Sequence, residues 1–260
     1  MKKKIEDWRK IDYQVVQILK NDYLKFMDVM NHAQIEVNQK TSKRDLVTNI
    51  DFANQKFLIQ ELLKILPDSK IIAEEHEITN KIDGLVWIID PLDGTMNFVE
   101  QKQDFAVMVS LYEDGRPRLG YILDVMNHRL LHGGVAVNQV YLNSKPLSAP
   151  KNTELADGLI GLSGPMLVND DYHFQTIEKN SLGTRVIGSA GIEFMRVIMG
   201  FQVGYISHLK VWDFAAGNVI ANQLGLNVSY IDGSPINMLK SGVVLVATKK
   251  AYNAIREIVE

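Results

Sequence analysis

Apolar residues recur at Ile5, Trp8, Ile11, Val15, Ile18, Leu19, Phe26 and Met30, the three- and four-residue spacing that lays one stripe along an amphipathic helix. This spacing predicts a single long helix from Ile5 to Met30. A polar stretch from Asn38 to Arg44 separates it from a second helical pattern between Ile50 and Leu66, with Phe52, Phe57, Leu58, Leu62 and Ile65 on the apolar face and Pro67-Asp68 as the stop. Two short apolar runs, Ile71 to Ala73 and Leu85 to Ile89, lead straight into carboxylates, Glu74-Glu75 and Asp90. They predict strands with acids at their ends. Between Asp104 and Asn143 the runs FAVMVSLY, LGYILDV and HRLLHGG, separated by turn-forming residues, predict a mostly antiparallel meander.

Beyond Pro150 the pattern changes. It predicts a strand at Gly158 to Leu162, a helix at Val168 to Lys179, a strand near Arg185 to Ile187, a helix at Gly191 to Met199 and another after Asp213. The run GVVLVAT from Gly242 predicts a buried strand, and the last residues a closing helix. This alternation belongs to a layered mixed α/β (α+β) fold. With no repeat and no long linker, the chain reads as two tightly packed halves, residues 1–148 and 149–260.

Composition narrows the chemistry. The 260 residues include no cysteine, which excludes disulfides, thiolate zinc sites and cysteine nucleophiles and fits a reducing compartment. Any metal must sit on oxygen or histidine. With 28 basic against 31 acidic residues the net charge is −3, and the absence of a basic block argues against nucleic acid as a general partner. Lys40, Lys43 and Arg44 still form a local cluster able to meet a phosphate-bearing small molecule. Met1-Lys2-Lys3-Lys4 is followed by Glu6, Asp7, Arg9 and Lys10, so it reads as a solvated helix start and not as a signal peptide. No apolar run approaches the roughly 18 residues of a membrane span. The expected location is the cytoplasm.

The densest chemistry lies in Asp90-Pro91-Leu92-Asp93-Gly94-Thr95. Proline fixes its own φ and biases the preceding residue toward extended backbone, so the strand is expected to end at Asp90. Gly94 permits close approach of backbone to a ligand, and Thr95 adds a hydroxyl beside amides that open a short helix. Two aspartates held this close repel one another, and a hard divalent cation is the natural compensator. On these residues alone the hexapeptide reads equally well as a turn, because Asp, Pro and Gly are common turn residues. Asp51 alone reads as a surface aspartate at a helix start, Glu74 as a solvated strand end, and Asp213 as a helix N-cap.

Four segments together change that balance. Val86 to Val99, VWIIDPLDGTMNFV, closely resembles the signature segment of the inositol monophosphatase family. Asp45-Leu46-Val47-Thr48-Asn49-Ile50-Asp51 resembles the family's lead-in, Ile71-Ile72-Ala73-Glu74-Glu75 its glutamate pair, and Val211-Trp212-Asp213-Phe214-Ala215-Ala216-Gly217 its WDxAAG segment. The resemblance implies a layered αβαβα sandwich of the inositol monophosphatase and fructose-1,6-bisphosphatase type. It also implies a homodimer, two to three Mg2+ ions and sensitivity to lithium. Carried over residue by residue, it implies that Glu74, Asp90 and the Leu92 carbonyl hold a first metal. Asp90, Asp93 and Asp213 would hold a second, and Glu74 would touch a third, weaker ion near Lys40. Asp51 and Thr95 would orient the attacking water and help deprotonate it, with Glu74 also at the catalytic centre.

The implied reaction is Mg2+-dependent hydrolysis of a small phosphate monoester. Asp93 and the Gly94 and Thr95 amides would meet the substrate, and Gly188-Ser189-Ala190-Gly191 resembles the loop that contacts the sugar or inositol ring. Animal members carry an inositol-gripping glutamate seven residues before the WD aspartate, a place held here by Ile206. Ser207, His208 and Lys210 are the nearby replacements. Apolar Ile206 cannot accept a hydroxyl hydrogen bond, which counts against inositol itself; with no aromatic or basic wall evident for a nucleotide, inositol monophosphate or a similar polyol or sugar phosphate is still favoured over fructose 1,6-bisphosphate, 3′-phosphoadenosine 5′-phosphate or NADP. The alternative from another class is a regulatory binding protein with an incidental phosphatase site.

Overall fold

The structure, a computed structural model, describes residues 7–32, 34–43, 45–75 and 81–260. The lysines at the N-terminus, Ile5 and Arg44 lie outside the described residues. Helix α1 spans Trp8–His32 and α2 spans Asn49–Ile65. Their apolar stripes, Ile11, Val15 and Leu19 on one and Ile50, Leu58 and Leu62 on the other, close over one face of a sheet. That sheet has seven strands, ordered β3 (Lys70–Ala73), β4 (Leu85–Asp93), β5 (Ala106–Glu113), β6 (Arg116–Asp124), β7 (Arg129–Gly134), β8 (Gln139–Leu142) and β9 (Lys145–Pro146). All neighbours pair antiparallel except β3 and β4.

Along β4 the side chains alternate between two cores, as strand geometry requires. Trp87 and Ile89 pack toward α1 and α2, whereas Val86 and Ile88 pack into a second core shared with α6 (Ala190–Ile198) and α7 (Val211–Gln223). On the far side of those helices lies a five-stranded sheet, ordered β11 (Gly183–Arg185), β10 (Leu159–Leu162), β12 (Gly204–Leu209), β14 (Gly242–Ala247) and β13 (Asn227–Tyr230). Its outer face packs a third core with α4 (Gly164–Asn169), α5 (Phe174–Lys179) and α8 (Lys249–Val259). The layers run αβαβα, as expected from the sequence.

The central helices sit close to the first sheet because the small residues allow it. A Cβ at Gly120 on β6 would meet the Ala216 carbonyl of α7 at 2.6 Å, and a Cβ at Gly217 would enter the Phe194 ring of α6. Tyr112 Oη, buried on β5, donates to the Ala215 carbonyl at 2.9 Å. The Ala-Ala-Gly run is thus a packing surface that brings the start of α7 up to the end of β4.

Several details differ from the sequence expectations. The polar stretch after α1 forms a two-stranded ribbon, β1 (Val37–Ser42) with β2 (Asp45–Thr48), whose VNQKTS strand has no apolar alternation to announce it. The single helix expected at Val168 to Lys179 is two, α4 and α5, separated where Asp170, Tyr172 and His173 adopt φ of 56°, 53° and 59°. Strands β12 and β13 carry no clear periodic signal and were not anticipated. β4 does not stop at Asp90: it continues to Asp93 through a register slip against β5, which accommodates Pro91, a residue without an N–H to give the ladder.

Candidate active site

Parallel pairing of β3 and β4 places Ala73 opposite Ile89. Glu74, just past the end of β3, and Asp90, the next residue of β4, therefore stand side by side. Asp90 is buried, and its Oδ1 accepts the Leu92 N–H at 3.0 Å. Past the slip, Gly94 turns the chain with φ 86° and caps the short helix α3 (Thr95–Gln101). A Cβ at Gly94 would also press on Ser189 Cβ at 3.0 Å and the Asp104 carbonyl at 3.2 Å, so glycine is required twice over.

Asp93 reaches across to the second half. Its Oδ1 accepts the Ala190 N–H at 3.0 Å, and its Oδ2 accepts the Gly191 N–H at 2.8 Å and the Ser189 hydroxyl. The carboxylate thereby satisfies open donors at the start of α6. Asp213 does not N-cap α7. Lys210 is the cap, and Asp213 stands at the third helical position with Oδ2 accepting the Lys210 N–H at 2.8 Å, which leaves its other oxygen free of that bond.

Asp51 is likewise no surface aspartate. It is fully buried at the third position of α2, where Oδ2 accepts from the Thr48 N–H at 2.8 Å and the Thr48 hydroxyl at 2.5 Å. Its Oδ1 faces Thr95 Oγ1 at 3.1 Å, and the same hydroxyl lies 3.1 Å from the Leu92 carbonyl. Lys40, on β1, donates to Glu74 Oε1 at 2.8 Å and to Glu75 Oε1 at 2.6 Å.

A cavity of about 350 Å3 collects most of these groups. Glu74, Asp90, Leu92, Asp93, Gly94 and Thr95 line one side, and Gly188, Ala190 and Asp213 face them. Asp51 stands behind Thr95, Ser189 behind Asp93, and Lys40 against Glu74. A larger cavity of about 600 Å3 between α1 and β7 is lined by none of these residues. The acid-rich cavity, though smaller, is the one lined by the residues singled out in the sequence.

Burial raises the Asp90 carboxyl well above the usual range, and the nearby Glu74, Asp93 and Asp213 carboxylates raise it further. Asp213 is raised by burial and by Asp93. Burial also raises Asp93, against the hydrogen bonds from Ser189, Gly191 and Ala190. It raises Glu74 too, partly offset by the Lys40 ammonium. Burial would lower Lys40, but the Glu74 and Glu75 carboxylates more than reverse it and the lysine is raised.

One ammonium does not neutralise this many acids, and every donor atom facing the cavity from them is an oxygen. Such a set fits a hard divalent cation. Among the described residues no three acidic or histidine side chains close into a cage by themselves, and Asp93 has both oxygens engaged. The arrangement therefore suits a cation that keeps water and substrate oxygens in its shell, as Mg2+ does.

Ile206 is not in the cavity. On β12 it packs outward into the third core with Ile160 and Leu245, whereas Tyr205, Ser207 and Leu209 face the site. His208, on the same side of the strand as Ile206, is exposed, and so is Lys210. Asn97 and Glu193 lie outside the site residues drawn from the sequence, and Glu75, named there only beside Glu74, gains a partner. Glu75 shares the Lys40 ammonium. Asn97 donates to the Asp104 and Ile187 carbonyls at 2.9 and 2.8 Å and so ties the Gly188 loop to α3. Glu193 is buried beside the cavity, held by Gln202 at 2.6 Å, and burial pushes its carboxyl up to about 7. An acid flanked by Ile192 and Phe194 on α6 was the available signal.

Residues 4–260 match the profile of the inositol monophosphatase family. The chain is 33% identical over 233 residues to the inositol-1-monophosphatase of Bacillus subtilis, covering 87% of this chain and 88% of that protein. Its fold is similar to staphylococcal IMPase-I complexed with products, with a TM-score of 0.90, 26% identity and coverage of 97% and 96% of the two chains. It is also similar to an IMPase/NADP phosphatase complexed with Mg2+ and phosphate, with a TM-score of 0.88, 26% identity and coverage of 96% and 95%.

Proposed function

The chain belongs to the inositol monophosphatase family of phosphoric monoester hydrolases, and from that premise we propose that it hydrolyses a small polyol or sugar phosphate, inositol monophosphate among them, with Mg2+. The observation that carries this reading is the convergence of Glu74, Asp90, Asp93 and Asp213 on one cavity beside the Asp51–Thr95 pair. Glu74, Asp90, the Leu92 carbonyl, Asp93 and Asp213 would hold the ions, with Lys40 bracing Glu74. When bound, Mg2+ neutralises the carboxylates and the phosphate and lowers the pKa of water.

The protein's own groups do the positioning, which dominates phosphoryl transfer. Thr95 has one hydroxyl hydrogen and two acceptors at equal distance, Asp51 Oδ1 and the Leu92 carbonyl. With that hydrogen on Asp51, the Thr95 oxygen is free to accept one from the attacking water. The proton then passes through Thr95 to Asp51. Thr48 anchors the other Asp51 oxygen, and burial raises the Asp51 carboxyl, making it a stronger base than a solvated aspartate. The Gly94 and Thr95 amides hold phosphate oxygens, and Gly188, Ser189 and Ala190 border the alcohol part of the substrate.

The wall composition favours a small polyol over a nucleotide. Among the described residues that line the cavity, Tyr205 is the one aromatic and none is basic, so little is offered to a base for stacking or to a second phosphate. Because Ile206 faces away, its apolar character does not disqualify inositol. Ser163, Glu193, Tyr205 and Ser207 supply polar groups to the cavity. Lithium inhibition, a homodimer and a cytoplasmic location belong to the same reading.

The test is phosphate release from inositol monophosphates, sugar phosphates, fructose 1,6-bisphosphate, 3′-phosphoadenosine 5′-phosphate and NADP, with and without Mg2+ and with Asp90→Asn as control. Best turnover on a nucleotide would overturn the substrate class. No Mg2+-dependent turnover on any of them would overturn the enzymatic reading in favour of a binding role.

A further inference from the structure

The Pro91–Leu92 peptide occupies a position where the sheet cannot hold it. β4 pairs with β5 at Asp90 opposite Met108 and again at Asp93 opposite Ala106, so the two residues between lie outside the ladder, and Pro91 has no N–H. Yet this peptide controls two atoms of the site. Its N–H, on Leu92, donates to Asp90 Oδ1 at 3.0 Å, and the next carbonyl, of Leu92, faces Thr95 Oγ1.

A side chain from another element does what the ladder does not. Asn54, buried on α2, donates through Nδ2 to the Pro91 carbonyl at 2.8 Å and to Asp22 Oδ2 at 3.3 Å. A carbonyl only accepts, so the amide nitrogen of Asn54 must face it. Asp22 projects from α1 into the apolar interior at 0% exposure, and its Oδ1 makes no hydrogen bond. A carboxyl buried in this manner costs stability that an apolar residue of similar size would avoid. A role in holding Asn54 accounts for it.

We propose that Asn54, braced by Asp22, is a positioning residue that sets the plane of the Pro91–Leu92 peptide and through it the orientation of the Asp90 carboxylate and the Leu92 carbonyl. The chain of contacts runs from Asp22 to Asn54, through the Pro91 carbonyl to the Leu92 N–H of the same peptide, and on to Asp90. Donation to the Pro91 carbonyl polarises the Pro91–Leu92 peptide and strengthens its Leu92 N–H as a donor to Asp90, while Asp22 fixes the orientation of the Asn54 amide. The inference rests on the assignment of Asp90 and Leu92 to Mg2+.

The test uses the full chain and three measurements: Mg2+ affinity by calorimetry, kcat and KM across Mg2+ concentrations, and thermal unfolding. Asn54→Leu removes the donor at similar volume. Loss of an outer-shell contact of this kind weakens metal binding about tenfold or more, so calorimetric affinity and the Mg2+ concentration for half-maximal rate should both shift by about that factor, while substrate KM at saturating Mg2+ holds. Asp22→Asn keeps an acceptor for Asn54 and should retain wild-type Mg2+ affinity. Should Asn54→Leu not fold, Asn54→Ala removes the same donor and is read in the same way.

A folded Asn54 variant with lowered thermal stability and unchanged Mg2+ affinity assigns a structural role only and overturns the proposal. A wild-type chain that neither binds Mg2+ nor turns over overturns the reading of the site itself. The two failures are distinguished by the wild type alone.

Discussion

Replacing Asp22 with asparagine should make the protein more stable, and by an amount that depends on pH. Burial pushes the Asp22 carboxyl from its ordinary 3.8 up to about 7, against the smaller opposing effects of the Asn54 hydrogen bond and the Lys25 ammonium. Below about pH 4 the carboxyl is protonated in folded and unfolded chains alike, and the full contribution of the neutral form is present. Between about pH 4 and 7 the unfolded chain releases its proton while the native chain keeps it, so native stability falls as pH rises. Above the folded value the ionised group is fully disfavoured. A difference of about three pKa units at about 1.4 kcal/mol each places the whole effect on the order of 4 kcal/mol.

Asparagine does not titrate. Its oxygen still accepts from Asn54, and its amide occupies the space where Asp22 Oδ1 has no partner. The two chains should therefore agree below about pH 4, and at pH 5, just over one unit above the unfolded value, the variant should already lead by on the order of 1.5 kcal/mol. By pH 8.5 the variant should lead by on the order of 4 kcal/mol, equivalent to roughly 10 °C in Tm for a chain of this size. Denaturant unfolding of both proteins from pH 5 to 9, in EDTA so that carboxylate–metal linkage does not enter, reads the difference directly. The other titrating groups are common to both chains and cancel. A stability difference that stays flat with pH would refute the argument, because it would mean that Asp22 is ionised in the native state throughout.

Asp90→Asn should lower turnover by roughly a hundredfold or more, beyond the usual loss for an outer-shell change, yet raise the unfolding midpoint in EDTA by relieving the repulsion from Glu74, Asp93 and Asp213; a lower midpoint contradicts the charge argument. Thr95→Ala should cost about 100-fold in kcat at unchanged Mg2+ affinity, and Thr95→Ser should recover most of it, since only the hydroxyl carries the proton to Asp51. Gly120→Ala, whose new methyl meets the Ala216 carbonyl at 2.6 Å, should destabilise by about 1–3 kcal/mol, read as a shift in denaturation midpoint; neutrality would show that α7 slides freely on β6.

What could be read in the sequence follows from what each feature needs in order to be visible. The Trp87–Ile89 and Val86–Ile88 faces of β4 are legible because a strand buried on both sides must be apolar throughout, and the acids after Ile89 and Ala73 are legible because they interrupt such runs. The β1–β2 ribbon is invisible to the same reasoning. It buries little, so backbone pairing alone defines it and VNQKTS shows no period. Ile206 illustrates a different limit. Sequence spacing places it where the family resemblance implies a substrate-gripping acid, but which face of β12 a residue occupies depends on register against β10 and β14. The pairing of Ile206 with Leu162 and Leu245 turns its side chain into the third core and presents Tyr205, Ser207 and Leu209 instead. A one-residue difference along a strand reverses the face, so spacing from a distant motif cannot decide it. The Asp22–Asn54–Pro91 contact is illegible for a third reason. Its members lie 32 and 37 residues apart in sequence and meet only because α1 packs beside α2, which lies on β4, so a polar residue on an apolar helix stripe looks like a flaw in the pattern until the fold supplies its partner.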